Sequence, residues 1–228
     1  MLSVGIGRTV KKWLKVDKFE SRIKIMLMYR SFFKPLSGIT LSILGLAVCG
    51  LPMLIIAIAI KMDSPGPVLF RQERLGKGMK EFRICKFRTM CNHAFEKGGV
   101  ATSASDSRIT RVGAVLRRTS LDELPQMFNV IIGQMAIIGP RPILDFEFEP
   151  YKDDARFLKR YDVAPGMFCT IDVYDRAAER DLQMEFDADY VEQQSLWLDV
   201  KIFFGIIKVV LTGDGVYKDE SKYKKNNE

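Results

Sequence analysis

Histidine is almost missing from this sequence: His93 is the only one in 228 residues. That excludes a histidine-rich metal centre and makes a histidine-centred catalytic triad a poor fit. The four cysteines, Cys49, Cys85, Cys91 and Cys169, show no paired zinc spacing. Scattered reduced thiols in a cytosol-facing protein are the simplest account of them. Gly76-Lys77-Gly78 lacks the rest of a Walker spacing and reads as a hairpin tip rather than a phosphate loop. No nucleic-acid-binding signature is present and the basic residues are spread rather than blocked, so no nucleic-acid partner is expected. Acids are scarce at the start, where Asp17 and Glu20 are the only ones from Met1 to Lys34, and no charge of either sign falls between Gly38 and Ile60.

What is present is a basic balance, net charge +7 with pI near 9.2. Such a chain suits an anionic partner, here a phosphorylated substrate or anionic lipid. The length predicts one compact domain with appendages. Residues 1–36 read as a basic amphipathic segment, with Trp13, Leu14, Phe19, Ile23, Ile25, Met26 and Met28 among lysines; a solvated basic arm is the alternative. A signal peptide is not expected, because the apolar run begins late and no small-residue cleavage site follows it. Residues 37–62 are long and apolar enough for a membrane helix, but Gly45, Gly50 and Pro52 interrupt it. Basic residues flank both ends, which is satisfied if both ends face the cytoplasm. A re-entrant helix bending at Leu51-Pro52 is therefore expected, with a single true span as the alternative.

Residues 63–216 read as a cytosolic catalytic domain. Val68-Leu69-Phe70 and Glu81 to Phe87 are predicted strands joined through Gly76-Lys77-Gly78. Asn92 to Ser107 is Gly, Ser and Ala rich and reads as a mobile loop. Arg108 to Arg118 places Ile109, Val112, Val115 and Leu116 at helical spacing. Asp145 to Tyr161 alternates acids and bases and reads as a solvated helix. Asp187 to Leu211 has apolar residues at near-helical intervals and reads as a helix, interfacial or core. Residues 217–228 read as a disordered tail. The fold class expected is α/β, mostly α: a re-entrant membrane helix plus a small cytosolic α/β domain with interfacial helices.

The stretch from Arg117 to Pro142 organises the chain. Asp122 and Glu123 lie between a basic pair, Arg117-Arg118, and an apolar helix-like run, and the segment closes on Pro140-Arg141-Pro142. Carboxylates that can hold a divalent cation thus lie near cations that can hold phosphate, as phosphoryl transfer requires. A purely structural reading also exists: Ser120-x-x-Glu123 matches a capping box. Pro125 argues for a helix start nearer Asp122, where a missing N–H does no harm.

Ser120-Leu121-Asp122-Glu123-Leu124-Pro125-Gln126, Phe128-Asn129-Val130 and Gly139-Pro140-Arg141-Pro142 together resemble the bacterial sugar transferase family. Asp63 to Gln72 and Lys86-Phe87-Arg88-Thr89-Met90 are similar to the same family, and the likeness spans about Lys34 to Val216. These are small monotopic polyprenyl-phosphate phosphoglycosyl transferases that begin glycan assembly at the bacterial inner membrane, catalytic domain facing the cytoplasm.

The resemblance implies a nucleotide-sugar donor, polyprenyl (undecaprenyl) phosphate as acceptor, a lipid bilayer as platform and Mg²⁺ as cofactor; a homo-oligomer is left open. It implies Asp122 as nucleophile, and Glu123, with Asp122, as metal ligand. It further implies phosphate contacts by Arg141, with Lys86, Arg88, Arg117 and Arg118 as further candidates. The sequence departs from the family after Pro165-Gly166, where the usual Ile-Thr-Gly becomes Met167-Phe168-Cys169 and a usual glutamine becomes Asp172. The departure bears on sugar recognition. It also keeps a non-catalytic membrane scaffold in view, beside a basic lipid-binding protein, which would leave the adjacent carboxylates unexplained.

Overall fold

The computed structural model describes residues 24–98, 106–174 and 178–212. The aromatic residues of the basic segment up to residue 23, part of the Gly-rich loop and the tail expected at 217–228 lie outside the described residues.

The longest element is α1 (Lys34–Asp63), which continues a helix from Lys24 through a π-helical stretch, Tyr29–Phe33. Pro35 lacks the N–H that an α-turn would use there, and the wider turn sits just before it. Among the described residues this helix alone is long and apolar enough to cross a membrane, by length and composition. It runs on through Leu51 and Pro52 without interruption. One stripe of α1 packs inward: Lys34, Gly38, Ser42 and Ile60 are buried, and Gly45, Cys49, Met53 and Ile56 are half-buried. The three-to-four spacing makes these one face. The other face leaves Leu41, Leu44, Val48, Leu51, Ile55 and Met62 exposed. A side chain at Gly45 would come within 2.8 Å of Met127 Sδ, so glycine there lets α1 approach the helix that carries Met127.

Strands β1 (Leu69–Leu75) and β2 (Glu81–Phe87) form the expected hairpin, antiparallel with Leu69 opposite Phe87 and Leu75 opposite Glu81. Helices α2 (Arg111–Thr119) and α3 (Gln126–Ile131) follow, then β3 (Ala136–Ile138), which pairs in parallel with β4 (Gly166–Phe168). Phe82, Ile84, Val130, Met135 and Met167 form one core cluster, binding the hairpin to α3 and to β4. The fold is mostly helical with two small sheets, as the sequence predicts.

Two expectations change. Asp145 to Tyr161 is not one solvated helix: it breaks into short turns, beginning with α4 (Asp145–Phe148), and buries Phe148 edge-on against Tyr161. Charge alternation hid those two aromatic anchors, whose burial outweighs helical continuity. Asp187 to Leu211 is likewise two helices. After the short α5 (Thr170–Tyr174) come α6 (Arg180–Gln193) and α7 (Leu196–Thr212), separated at Gln194-Ser195. Helix α7 buries Ile202, Ile206 and Val209 in the core while Trp197, Phe203, Phe204 and Ile207 stay exposed. It is therefore a core helix with an apolar outer face.

Candidate active site

Helix α2 ends at Ser120, whose φ of 57° is left-handed. That reversal starts a tight 3₁₀ turn, Leu121–Glu123, and places Asp122 and Glu123 ahead of α3 rather than inside it. Ser120 lacks the extended backbone of an N-cap, so the capping-box expectation is corrected. Helix α3 starts at Gln126 with Pro125 as the flanking residue, so a start near Asp122 is corrected too. The pair sits on a strained turn, a conformation that persists only where surroundings over-determine it.

Across from the turn, Lys86 on β2 donates to Glu123 Oε1 at 3.1 Å, both side chains partly shielded. The strand is held for this purpose by Asn129 on α3. Its Oδ1 accepts from Cys85 N at 3.0 Å and its Nδ2 donates to Arg83 O at 2.8 Å. Both neighbours of Ile84 on β2 are thus clamped, and Lys86 follows directly. Burial pushes the Asp122 carboxyl up from 3.8 to about 6, and the charge of Glu123 adds to the shift, while Lys86 and Arg117 oppose it. Removal of the carboxylate from water is the main origin, and the neighbouring like charge adds to it.

Arg141 is brought in from the other side. Gly139 and Gly166 pass so closely that a Cβ on Gly166 would lie 2.1 Å from Gly139 N. Gly166 N donates to Pro140 O at 2.8 Å, which pins the Pro140-Arg141-Pro142 corner against β4. Arg141 N donates to Asp187 Oδ1 at 3.2 Å, and its Nη1 donates to Asp172 Oδ1 at 2.9 Å. Asp172 holds the guanidinium pKa above its ordinary value despite burial. Asp172 Oδ2 also accepts from Cys169 N at 2.9 Å and from Cys169 Sγ at 2.8 Å. The segment that departs from the family pattern therefore carries the carboxylate that holds Arg141.

Lys86, Glu123 and Arg141 meet at one cleft of about 170 Å³. Arg117 is half-buried and close enough to stabilise the Asp122 charge, whereas Arg118 is exposed; neither lines the cleft. Arg88 is buried and points elsewhere. Its guanidinium donates to Ser64 O and Pro65 O, each at 2.7 Å, and to Ser64 Oγ at 3.0 Å. It fastens the C-terminal end of α1 to β2, where cations suit unpaired helix carbonyls. It is not placed to take phosphate. Sequence reasoning missed Arg74, Gln126, Glu147 and Arg180, which also line the cleft. They come from four separate elements, so no local motif joins them; Gln126 alone lay inside a recognised stretch.

Two carboxylates from Asp122 and Glu123 suit Mg²⁺, which binds through one or two carboxylates plus phosphate oxygens and water rather than a full protein cage. Like charge raising the Asp122 pKa is what a cation there would relieve.

The model of the family described as bacterial sugar transferase matches residues 29–213. A UDP-N-acetylgalactosamine-undecaprenyl-phosphate N-acetylgalactosaminephosphotransferase of Aeromonas hydrophila is 40% identical over 219 residues, 92% of this chain and 52% of that protein. A UDP-glucose:undecaprenyl-phosphate glucose-1-phosphate transferase of Klebsiella pneumoniae is 38% identical over 179 residues, 75% of this chain and 38% of that protein. An exopolysaccharide production protein of Rhizobium leguminosarum bv. phaseoli is 39% identical over 176 residues, 70% of this chain and 86% of that protein. The chain spans about half the length of the first relative and less of the second.

Proposed function

The chain belongs to the bacterial sugar transferase family, and on that footing we propose that it transfers a sugar-1-phosphate from a nucleotide diphosphate sugar to polyprenyl phosphate. The relatives' names point to UDP-sugars and undecaprenyl phosphate. One observation carries the reading: Asp122 adjoins Glu123 on one turn, and Glu123 pairs with Lys86 at a cleft that Arg141 also lines.

The ionised Asp122 carboxylate attacks the sugar-bearing phosphorus. The bond from that phosphorus to the bridging oxygen breaks, its electron pair leaves with the nucleoside monophosphate, and a phosphosugar-aspartyl ester remains. A phosphate oxygen of the polyprenyl acceptor then attacks the same phosphorus and frees Asp122. Such a nucleophile needs no histidine base, because a carboxylate is ionised near neutral pH. Lys86 and Arg141, which both line the cleft, hold the diphosphate in this reading, and the arginine offers a planar fork for two phosphate oxygens. Glu123 and Asp122 are the residues that would hold Mg²⁺, which would supply charge neutralisation at the leaving group.

Two structural features support membrane work. Val115, Leu121, Phe128 and Ile132 are exposed around the catalytic turn, offering apolar surface to a lipid acceptor. Both ends of α1 rest on the same body. Tyr29 and Lys34 reach Asp199 at one end, and Arg88 holds the other. These contacts at both ends support a helix that returns to the cytoplasmic side, whereas its unbroken course through Leu51-Pro52 is what a single span would have. Cysteines substituted at Lys24 and Lys80 should label from the same side, and labelling from opposite sides would contradict the re-entrant reading. A non-catalytic scaffold would have no use for a desolvated carboxylate pair facing Lys86.

The test uses the purified full chain in lipid nanodiscs with Mg²⁺, polyprenyl phosphate and a panel of radiolabelled nucleotide sugars. Transfer of label to lipid from at least one donor, lost in Asp122→Asn, is the expected result. No transfer from any donor would remove the reading.

A further inference from the structure

Beside Glu123, Lys86 and Arg141, the cleft is walled by Arg74, Gln126, Glu147 and Arg180. Glu147 is fully engaged: Arg180 donates to Oε1, Arg74 Nη1 to Oε2 at 3.4 Å, and Leu144 N to Oε2 at 2.9 Å. Arg74 in turn donates from Nη2 to Gln72 Oε1 at 2.7 Å. What this wall leaves over is donors. Gln126 is 1% exposed, and its Nε2 has no hydrogen-bond partner; Arg74 Nε is buried and without one. Burial lowers the Arg74 pKa to about 10, opposed by Glu147 and aided by Arg141 and Arg180. Arg74, Lys86, Arg141 and Arg180 line the cleft against Glu123 and Glu147, so positive charge outnumbers counter-charge among the lining residues. A buried donor left unpaired costs about 1–3 kcal/mol, and an acceptor-rich ligand recovers it.

Resting on the reading above, we propose that this wall is the subsite for the departing nucleoside monophosphate, its phosphate held by Arg74, Arg180 and Gln126. Three considerations select that part of the donor. In-line displacement puts the leaving oxygen opposite the nucleophile, and Asp122 does not itself line the cleft that these residues wall. The leaving phosphate gains negative charge as the bond breaks, and cations aimed there act on the transition state. A sugar, by contrast, presents hydroxyl donors that need acceptors, and the one carboxylate in this wall is already taken. The cleft is also smaller than the ~300–1,000 Å³ of sites that enclose a whole ligand. It holds one portion of the donor and leaves the sugar nearer Cys169 or the mouth. The wall is accordingly common to all donors that share the nucleotide.

UMP is the probe, with the full chain in nanodiscs and folding monitored by thermal melting. Arg180→Ala and Gln126→Ala should each weaken UMP binding about tenfold, the cost of one lost hydrogen bond to a charged group. KM for every accepted donor should rise by a similar factor with the ranking of donor sugars unchanged, and Arg180→Lys should recover part of the loss. A changed donor ranking with UMP affinity intact would assign the wall to the sugar and overturn the proposal. Folded variants with neither change would make the Arg74–Glu147–Arg180 cluster purely structural and overturn it equally. Wild-type protein that transfers no label fails the preceding section's reading; wild-type protein that turns over, with UMP affinity indifferent to these variants, fails only this one.

Discussion

Asp199 and Asp122 are both removed from water, but they are treated in opposite ways. Asp199, where α7 meets the start of α1, accepts from Tyr29 and Tyr190 at 2.6 Å each and pairs with Lys34. Lys34 also donates to Tyr190 at 2.5 Å, and Gln194 Nε2 donates to Tyr190 at 3.1 Å. The Asp199 carboxylate thus has Lys34 as its counter-charge. Asp122 sits instead beside a second carboxylate, with Lys86 committed to Glu123, and its pKa rises to about 6. The difference separates mechanical from chemical work: matched charge fastens α1 to the body, while mismatched charge is left ready to react. Neither role is visible from residue type, since both are aspartates.

The comparison breaks hardest at the nucleophile. Asp122→Asn should lower turnover by about 10⁴-fold or more while leaving membrane association intact. It should also stabilise the fold at neutral pH. The folded pKa of Asp122 lies above its ordinary 3.8, so ionising it opposes folding; the cost is present above about pH 6 and absent below about pH 4. Removing the charge therefore gains about 3 kcal/mol at pH 7 and almost nothing at pH 4, readable from melts at the two pH values. Asp199→Ala should do the reverse. It strands the Lys34 ammonium, costs about 3–5 kcal/mol, and loosens α1 to proteolysis. Lys34→Met combined with Asp199→Leu should recover most of that loss, since an apolar pair of similar volume replaces a buried ion pair well.

A smaller effect sharpens the electrostatics. The wild-type kcat/KM should fall as pH drops through about 6, where free Asp122 takes a proton. The charge of Lys86 favours the carboxylate, so Lys86→Met should move that limb to higher pH. A limb that stays in place would mean that another group titrates.

The smallest expected effect lies in donor choice. Phe168 packs into the core and only Cys169 reaches the cleft. Cys169→Gly should then shift relative rates among donor sugars by a few-fold, measured by competition between two labelled donors, and Phe168→Thr should act on stability alone.

Much of this was legible in the sequence. Alternation and Gly76-Lys77-Gly78 marked the hairpin, because a half-buried antiparallel pair has a period of two. The Asp122-Glu123 and Pro140-Arg141-Pro142 motifs were local and survived as neighbours in space. What stayed hidden depends on tertiary placement. Arg88 looked like a phosphate contact because it follows Lys86-Phe87, yet alternation along the strand sends it to the carbonyls of Ser64 and Pro65. Arg74, Glu147 and Arg180 come together only when β1, α4 and α6 pack, and nothing in their local spacing announces it. Asp172 looked like a departure from a pattern; its partner Arg141 is 31 residues away.

The central claim, that Asp122 carries the phosphosugar, is tested most directly without acceptor. Enzyme mixed with Mg²⁺ and its labelled donor, but no polyprenyl phosphate, should release about one equivalent of UMP in a burst and gain the mass of one phosphosugar on the peptide containing Asp122. UMP release only after polyprenyl phosphate is added, with no adduct on that peptide, would mean direct displacement and contradict the account.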